Sequence, residues 1–278
     1  MTALAGRIAA VTGAGSGLGA AMARLFASRG MAVAALDIDE ADAAATAKSI
    51  AEDLGVPTTS LGTDVGDPAS VAAAADHVRA TLGGCDLLAA NVGVQQFGAI
   101  DKLTEEDWSW VVNVNILGTV RTVRAFLPLI RQRDGWRRIV LTASSSVMAP
   151  SIRLGAYQAS KFAVMGFGET LREELQDEEI GVTIVFPGGM ATRHLESSVA
   201  ARPTELGASN LDMDDVTAML SHTPQGEGDL ATPEHAIRNL MADLEANEPF
   251  SLTHGTYRPI WNRRRDAIEA AFDRMESS

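Results

Sequence analysis

Short, nearly unbroken apolar runs alternate along the chain with longer segments whose apolar positions return every three or four residues. The runs fall at 7–12, 31–37, 57–61, 85–90, 137–143, 181–186 and about 249–254. Between them, helical patterns cover 17–29, 40–53, 68–82, 104–132, 156–178 and 234–246. Runs such as Met31–Leu36 and Gly181–Phe186 do not alternate polar with apolar, so both faces of each strand are buried. Strand–helix alternation over the whole length predicts an α/β fold: a doubly wound (Rossmann) parallel sheet of about seven strands with helices on both faces.

Two segments break the rhythm. Residues 188–232 hold helix-compatible stretches and no strand, with Met190, Leu195, Val199, Leu211, Met213, Val216, Met219 and Leu220 spaced among acids and glycines. A connection of this length predicts a lid or binding loop. Residues 259–276 read as one amphipathic tail helix. With no internal repeat and no low-complexity linker, residues 1–278 are expected to form a single domain.

Composition narrows the partners. Of 278 residues 46% are hydrophobic, enough for a large core, and the net charge of −13 opposes nucleic acid and anionic membranes. Arg263-Arg264-Arg265 is the local exception and reads as a solvated helix face or an ion-pair partner. The single cysteine, Cys85, excludes a disulfide framework and reads as a small core residue. The five histidines show no metal-ligand spacing, so no metal is expected. The first strand begins within a few residues of Met1 and no run reaches membrane-spanning length, so a cytoplasmic protein is expected.

The first apolar run leads into Thr12-Gly13-Ala14-Gly15-Ser16-Gly17-Leu18-Gly19 and then a helical pattern. A strand that turns through glycines into a helix N-terminus presents free N–H groups and a positive dipole end, which suits a dinucleotide pyrophosphate. Asp37 ends the second strand, where a carboxylate accepts both ribose hydroxyls and repels a 2′-phosphate. Neither Ser16 nor Ile38, the natural places for a cation, is basic, so NAD is expected over NADP. Asp37 also reads as a helix cap or a solvated strand end. Asp39 competes for the ribose but looks more like a cap. Asp64 ends the third strand and reads equally as an adenine contact or a loop aspartate.

Tyr157-Gln158-Ala159-Ser160-Lys161 opens the helix after the fifth strand. The i, i+4 spacing puts phenol and ammonium on one face. The ammonium is expected to lower the phenol pKa by about a unit or more, making a base usable near neutral pH. The same spacing is also common in plain surface pairs. Ser144 lies where the fifth strand ends, on the ligand side of a parallel sheet, and its hydroxyl is placed to hold a substrate oxygen. Ser145 and Ser146 read as loop residues. Asn115 falls inside the 104–132 helix, where asparagine is unfavourable. It reads either as the holder of a water beside Lys161 or as a solvent-facing residue.

From about residue 5 to 190 these features resemble a classical short-chain dehydrogenase/reductase. The turn has the family form Thr-Gly-x-x-x-Gly-x-Gly, and the family tetrad falls on Asn115, Ser144, Tyr157 and Lys161. Pro187-Gly188 stands in the place of the family's Pro-Gly motif. The resemblance implies cofactor contacts at Gly13, Gly15, Ser16, Gly17, Leu18, Gly19, Asp37, Ile38, Asp64, Val65, Asn91, Gly93, Tyr157, Lys161, Pro187, Gly188, Met190 and Thr192. It gives Thr192 the nicotinamide carboxamide and Lys161 the nicotinamide ribose. It implies that Ser144 and Tyr157 bind an alcohol, that Tyr157 takes its proton while hydride passes to the nicotinamide, and that Asn115 keeps a proton-relay water. One departure stands out: the family's Asn-Asn-Ala-Gly reads Ala90-Asn91-Val92-Gly93 here, which removes a support of the sheet and cofactor loop.

The lid, Val94-Gln95-Gln96-Phe97 and Val147–Leu154 are expected to close the substrate pocket. Val94, Phe97, Val147, Met148, Ile152, Leu154, Met190 and Leu195 would line it, with Gln95, Gln96 and His194 as polar contacts or plain loop residues. The expected substrate is a bulky, largely apolar secondary alcohol or its ketone: aryl, alicyclic or steroid-like. Rival readings are an NADH-dependent carbonyl reductase and a non-catalytic dinucleotide sensor. A serine hydrolase on Ser144 lacks the Gly-x-Ser-x-Gly turn. By resemblance, helices 104–132 and 156–178 are the usual dimerisation surface, with the tail helix as a candidate addition to it, and imply a homodimer or homotetramer.

Overall fold

The computed structural model describes residues 4–190, 192–207, 212–222 and 230–277. Seven strands form one parallel sheet: β1 (Ile8–Thr12), β2 (Ala32–Asp37), β3 (Thr58–Gly62), β4 (Leu87–Ala90), β5 (Arg137–Thr142), β6 (Ile180–Phe186) and β7 (Phe250–Leu252). Their order is β3-β2-β1-β4-β5-β6-β7, all parallel. The winding reverses between β1 and β4, so the crevice for a ligand opens at the carboxyl ends of those two strands.

Alternate residues of the five inner strands feed opposite cores, as the two-residue period requires, while the edge strands β3 and β7 are only partly buried. Ile8, Ala10, Leu36, Leu88, Ile139, Leu141, Val182 and Ile184 share one cluster with Phe126 and Ile130. Ala9, Val11, Val33, Ala35, Leu87, Ala89, Val140 and Val185 share the other with Met22, Phe26 and Met241. The first cluster lies under α3 (Pro68–Leu82), α5 (Gly118–Arg131) and α6 (Gly155–Glu174). The second lies under α1 (Gly17–Ser28), α2 (Glu40–Leu54) and α10 (Leu240–Glu245). This two-sided burial explains the unbroken apolar runs. Cys85 is fully buried, and its thiol is pushed up by burial and by Asp86 beside it, so it packs as expected.

Local chemistry sets the helix ends. Asp39 caps α2 by accepting from the N–H groups of Ala41 and Asp42, the competing role foreseen for it. α4 (Glu105–Val112) opens with a capping box between Thr104 and Asp107.

Three expected helices are broken. The 104–132 segment is α4, a π-helical turn over Asn113–Leu117, and α5. The 156–178 segment is α6 plus a short turn at Gln176–Glu178. The 234–246 segment is α9 (Pro233–Ala236) and α10. A periodicity of three to four residues cannot resolve such one-turn interruptions.

The expected lid holds α7 (His194–Ala200) and α8 (Met213–His222), and Met190 bridges to Ala231. Leu211 and the side chain of Leu220, both assigned to the lid, lie outside the described residues. The tail is α11 (Arg258–Glu276). Among the described residues no helix is long and apolar enough to cross a membrane.

Candidate active site

The glycine turn joins β1 to α1 at the mouth of the crevice. Gly19 is required by close approach: a Cβ there would lie 1.9 Å from the Gly13 carbonyl oxygen, which is main chain and cannot yield. Ser16 is the N-cap of α1 and its side chain makes no capping bond, which leaves the first N–H groups of the helix for another acceptor. Leu18 is buried in the core beneath, so its part in any contact is its main chain.

Asp37 comes to this turn. One carboxylate oxygen accepts from Gly15 N at 2.8 Å and the other from Asp39 N at 3.1 Å. Ile38 beside it is exposed. Asp64 accepts from Gly66 N at 2.7 Å, the loop role weighed for it. Val65 is buried against α4 and its neighbours, close to Gly118. A cleft of about 460 Å³ runs beside the turn, lined by Gly15, Gly17, Asp42, Thr192 and Arg193 among others. Arg193 pairs with Asp42 across it at 3.0 Å.

The chain after β4 is held by Asn115. Its Oδ1 accepts from Val94 N at 2.7 Å, and its Nδ2 donates to Val94 O and to Ser160 Oγ, each at 2.9 Å. Both amide hydrogens are thereby spent. The side chain is a buried clamp between this loop and α6, and the expected role as holder of a water beside Lys161 is not available to its amide hydrogens. The π turn widens the helix where Asn115 sits, and such turns recur at functional positions.

Asn91 is also tied. Its N–H donates to Thr12 Oγ1, and its Oδ1 accepts from Thr142 Oγ1 at 3.0 Å. These bonds link β1, β4 and β5, so the family asparagine replaced by Ala90 is not needed to join them. Ala90 itself is buried in the core.

Ser144, Tyr157 and Lys161 converge at the end of β5. The Ser144 hydroxyl hydrogen-bonds the Tyr157 phenol and accepts from Ser146 N at 3.2 Å. Lys161 Nζ donates to Thr142 O at 2.9 Å and lies 5.7 Å from the Tyr157 ring centre. Gly93 crosses directly over this amine, and a Cβ there would come within 2.8 Å of Nζ.

Electrostatics overturn one expectation. Burial pushes the Tyr157 phenol up, and the Ser144 bond only partly offsets it. Burial pulls Lys161 down to about 8. The ammonium was expected to acidify the phenol. Instead the burial that brings the two together penalises both charged forms.

The lid covers Tyr157. Phe97, Leu154 and Val216 form a buried cluster against which Tyr157, Leu195 and Met219 pack. His194 sits with its ring 6.2 Å from that of Tyr157. Burial and the charge of Lys161 push His194 down to about 4, so it is neutral at ordinary pH.

Several expected lining residues point elsewhere. Val94 belongs to the cluster of Val65, Val71, Trp110 and Val111. Val147 is buried in the main core and Met148 packs on it. Met190 packs against the opposite core, Ile152 is exposed, and Val199 and Met213 on the lid are exposed too. Gln95 reaches the lid through its main chain, N–H to Ser198 Oγ at 3.1 Å. The Gln96 side chain is committed to Arg202 and the Phe97 carbonyl. Periodicity gives the faces of regular elements, and these are loop residues with no period to read.

Some participants were not foreseen. Ser160 accepts from Asn115 and donates to the Tyr157 carbonyl at 2.6 Å, fixing the first turn of α6. Its place between tyrosine and lysine was the available signal. Thr253 accepts from Gly188 N at 2.9 Å, and His254 and Tyr257 pack on Gly188, so the Pro187-Gly188 corner is buttressed from β7 onward. No sequence pattern marks that support.

Known proteins share this fold. A family model described as short chain dehydrogenase matches residues 7–203. The chain resembles a Burkholderia phymatum short chain dehydrogenase/reductase solved in complex with NAD, with a TM-score of 0.88, 28% identity, and coverage of 98% of this chain and 97% of that one. It is 28% identical to the Cα-dehydrogenase of a Sphingobium species over 98% of this chain and 88% of the relative. It is also 28% identical to a D-β-hydroxybutyrate dehydrogenase of Cupriavidus necator, over 93% and 96% respectively.

Proposed function

Since the chain belongs to the short-chain dehydrogenase family, we propose that it is an NAD-dependent oxidoreductase that interconverts a bulky, largely apolar secondary alcohol and its ketone. One observation carries the reading: the hydrogen-bonded Ser144–Tyr157 pair, with Lys161 beside it, stands at the carboxyl end of β5 next to the crevice that the glycine turn enters. NAD fits that crevice on the chemistry of its donor set. The open N-terminus of α1 suits the pyrophosphate, and the Asp37 carboxylate suits ribose hydroxyls and opposes a 2′-phosphate. The NAD complex of the Burkholderia relative supports the same choice.

When bound, the nicotinamide supplies the hydride acceptor or donor and, oxidised, a positive charge. The chain's residues handle the oxygen and its proton. Ser144 Oγ orients the substrate oxygen towards Tyr157, and the phenol exchanges the proton with it. Lys161, charged below about 8 and held by the Thr142 carbonyl, opposes the negative charge that gathers on the phenol oxygen. Asn115 acts as a positioning residue, fixing the Val94 main chain under the pocket. Leu195, Val216 and Met219, closed over Tyr157 with Phe97 and Leu154, exclude water and present an apolar wall. That wall supports the bulky, apolar substrate.

A second reading, ketone reduction as the working direction, is favoured by the raised Tyr157 phenol. A protonated phenol is ready to donate to a carbonyl oxygen. The family implies a homodimer or homotetramer. The test is nicotinamide absorbance in both directions with aryl alcohols, alicyclic alcohols and short hydroxy acids, for wild type and Tyr157→Phe. Turnover on the bulky alcohols, lost at least a thousandfold in Tyr157→Phe, is expected. NAD binding without turnover on any of them overturns the enzyme reading, and preference for the hydroxy acids overturns the substrate class.

A further inference from the structure

The tail helix α11 does not belong to the core of its own chain. Among its described residues none is buried. Its first turns are tethered: Tyr257 is buried just before it, and Arg264 donates to the Val147 carbonyl at 2.5 Å and lies over the Phe162 ring at 4.7 Å. From Arg265 to Ser277 every residue is exposed. Within that arm Ile268, Phe272 and Met275 are 51, 61 and 77% exposed, and with Trp261 at 39% they form one stripe at spacings of seven, four and three. A helical arm of about three turns is marginal alone in water. An apolar stripe on it marks a contact surface.

We propose that the stripe pairs with the α11 stripe of a second copy, antiparallel, about a two-fold axis at Ile268. This deepens the homo-oligomer reading above and rests on it. The charge along the helix selects this partner and direction. Arg258, Arg263, Arg264 and Arg265 lie before Ile268, with Asp266 the lone anion there, while Glu269, Asp273 and Glu276 lie after it, with Arg274 the lone cation there. Parallel pairing sets like charge against like. Antiparallel pairing sets each basic half against an acidic half, and the two-fold makes the match self-complementary. With the axis at Ile268, each Ile268 faces its copy and Trp261 faces Met275. The aromatic–methionine contact is itself favourable. The acidic second half and the net charge of −13 oppose an anionic lipid surface as the occupant. Through Arg264 the paired helices reach the loop that follows Ser144.

Cysteine cross-linking of the full-length protein tests this, because Cys85 is buried and does not compete. Under mild oxidation Ile268→Cys is expected to give a disulfide-linked dimer, and Ala270→Cys, on the far side of the helix, is not. A mixture of Trp261→Cys and Met275→Cys is expected to cross-link, whereas Trp261→Cys alone is not. In light scattering, Ile268→Asp, which sets two like charges against each other at the axis, is expected to raise the dissociation constant about tenfold or more. Since α11 lies outside the core, unchanged circular dichroism and melting temperature verify folding. Cross-linking of Trp261→Cys to itself overturns the antiparallel arrangement. An intact oligomer with no Ile268→Cys cross-link overturns the tail pairing and leaves the oligomer reading standing. A monomer at micromolar concentration overturns both. Sedimentation of a monomer with vesicles of anionic phospholipid assigns the stripe to a membrane and overturns the second copy as its occupant.

Discussion

Arg202→Met should release the first half of the lid while leaving the sheet intact. Arg202 lies just beyond α7, and its side chain is 8% exposed. It pairs with Asp107 of α4 at 2.7 Å, whose side chain is 9% exposed, and donates to Gln96 Oε1 at 3.0 Å. It also donates to the carbonyls of Leu206 and Gly207 and lies over the Trp110 ring at 5.5 Å. One guanidinium thus joins the lid, the loop after β4 and the start of α4. Removing one partner of a buried pair costs about 3–5 kcal/mol. Methionine keeps the apolar stem, and Asp107 keeps its bonds with the Thr104 main chain and hydroxyl. The low end, about 3 kcal/mol, therefore applies, which is about a hundredfold in the opening equilibrium.

Hydrogen exchange of the amides in 194–207 reads this directly. Protection there should fall about a hundredfold while protection in β1, β4 and β5 holds. Asp107→Asn combined with Arg202→Met should recover part of the loss, because no charge is then left buried without a partner. The pair also has a pH signature. Burial alone would push Asp107 up, but the Thr104 main chain and Arg202 outweigh it and hold the carboxyl below its usual range. Its contribution is present above the ordinary aspartate value of about 4 and is lost as pH falls through the lower folded value. A change in lid protection of less than threefold in Arg202→Met would refute the anchoring role.

Three further outcomes follow from the site. Burial pulls Lys161 from its ordinary value of 10.5 to about 8. The unfolded chain therefore binds the extra proton between those values, and stability rises with pH across that window. Lys161→Met should then abolish turnover yet raise the melting temperature at pH 7, with the gain shrinking towards pH 10; a lower melting temperature at pH 7 counts against it. His194, pushed from 6.5 to about 4, should make the fold lose stability as pH falls from 6.5 to 4. His194→Gln should flatten that slope in urea titrations, and an unchanged slope would contradict the assignment. Gly93→Ala should displace the Lys161 amine, which a Cβ would meet at 2.8 Å. Activity should drop about tenfold to a hundredfold with little change in melting temperature, since the obstructing atom is the end of a flexible side chain; unchanged kcat would show that the amine's position is not critical.

What the sequence made legible, and what it hid, divides along a physical line. The five inner strands were readable because burial on both faces leaves an unbroken apolar run, whereas the edge strands β3 and β7 are only partly covered. The glycine turn was readable because a main-chain approach as close as that at Gly19 excludes every other residue. Tyr157 and Lys161 were readable as a pair because helical spacing is rigid. The π turn at Asn113–Leu117 was not, because one extra residue in a turn leaves the surrounding period almost unchanged. The Arg202–Asp107 pair was not, because nothing local ties two residues so far apart in the chain.

The harder failure concerns Tyr157, where the residues and their spacing were right and the direction of the shift was wrong. Spacing reports that a cation is near. It does not report how much water the fold removes from both groups. Lys161 is drawn under Gly93 and onto the Thr142 carbonyl, and the phenol is closed in by the lid cluster. In that setting desolvation outweighs the mutual attraction, and in the free chain the proton leaves the amine at lower pH than the phenol. A positive charge brought in at the crevice by an oxidised nicotinamide acts in the opposite sense, and with little water to screen it. The proposed base is thus made by the fold together with its cofactor. Saturating NAD should lower the Tyr157 titration seen by ultraviolet difference spectroscopy in wild type, and NADH should not. Equal effects of the two would show that occupancy and not charge moves the phenol.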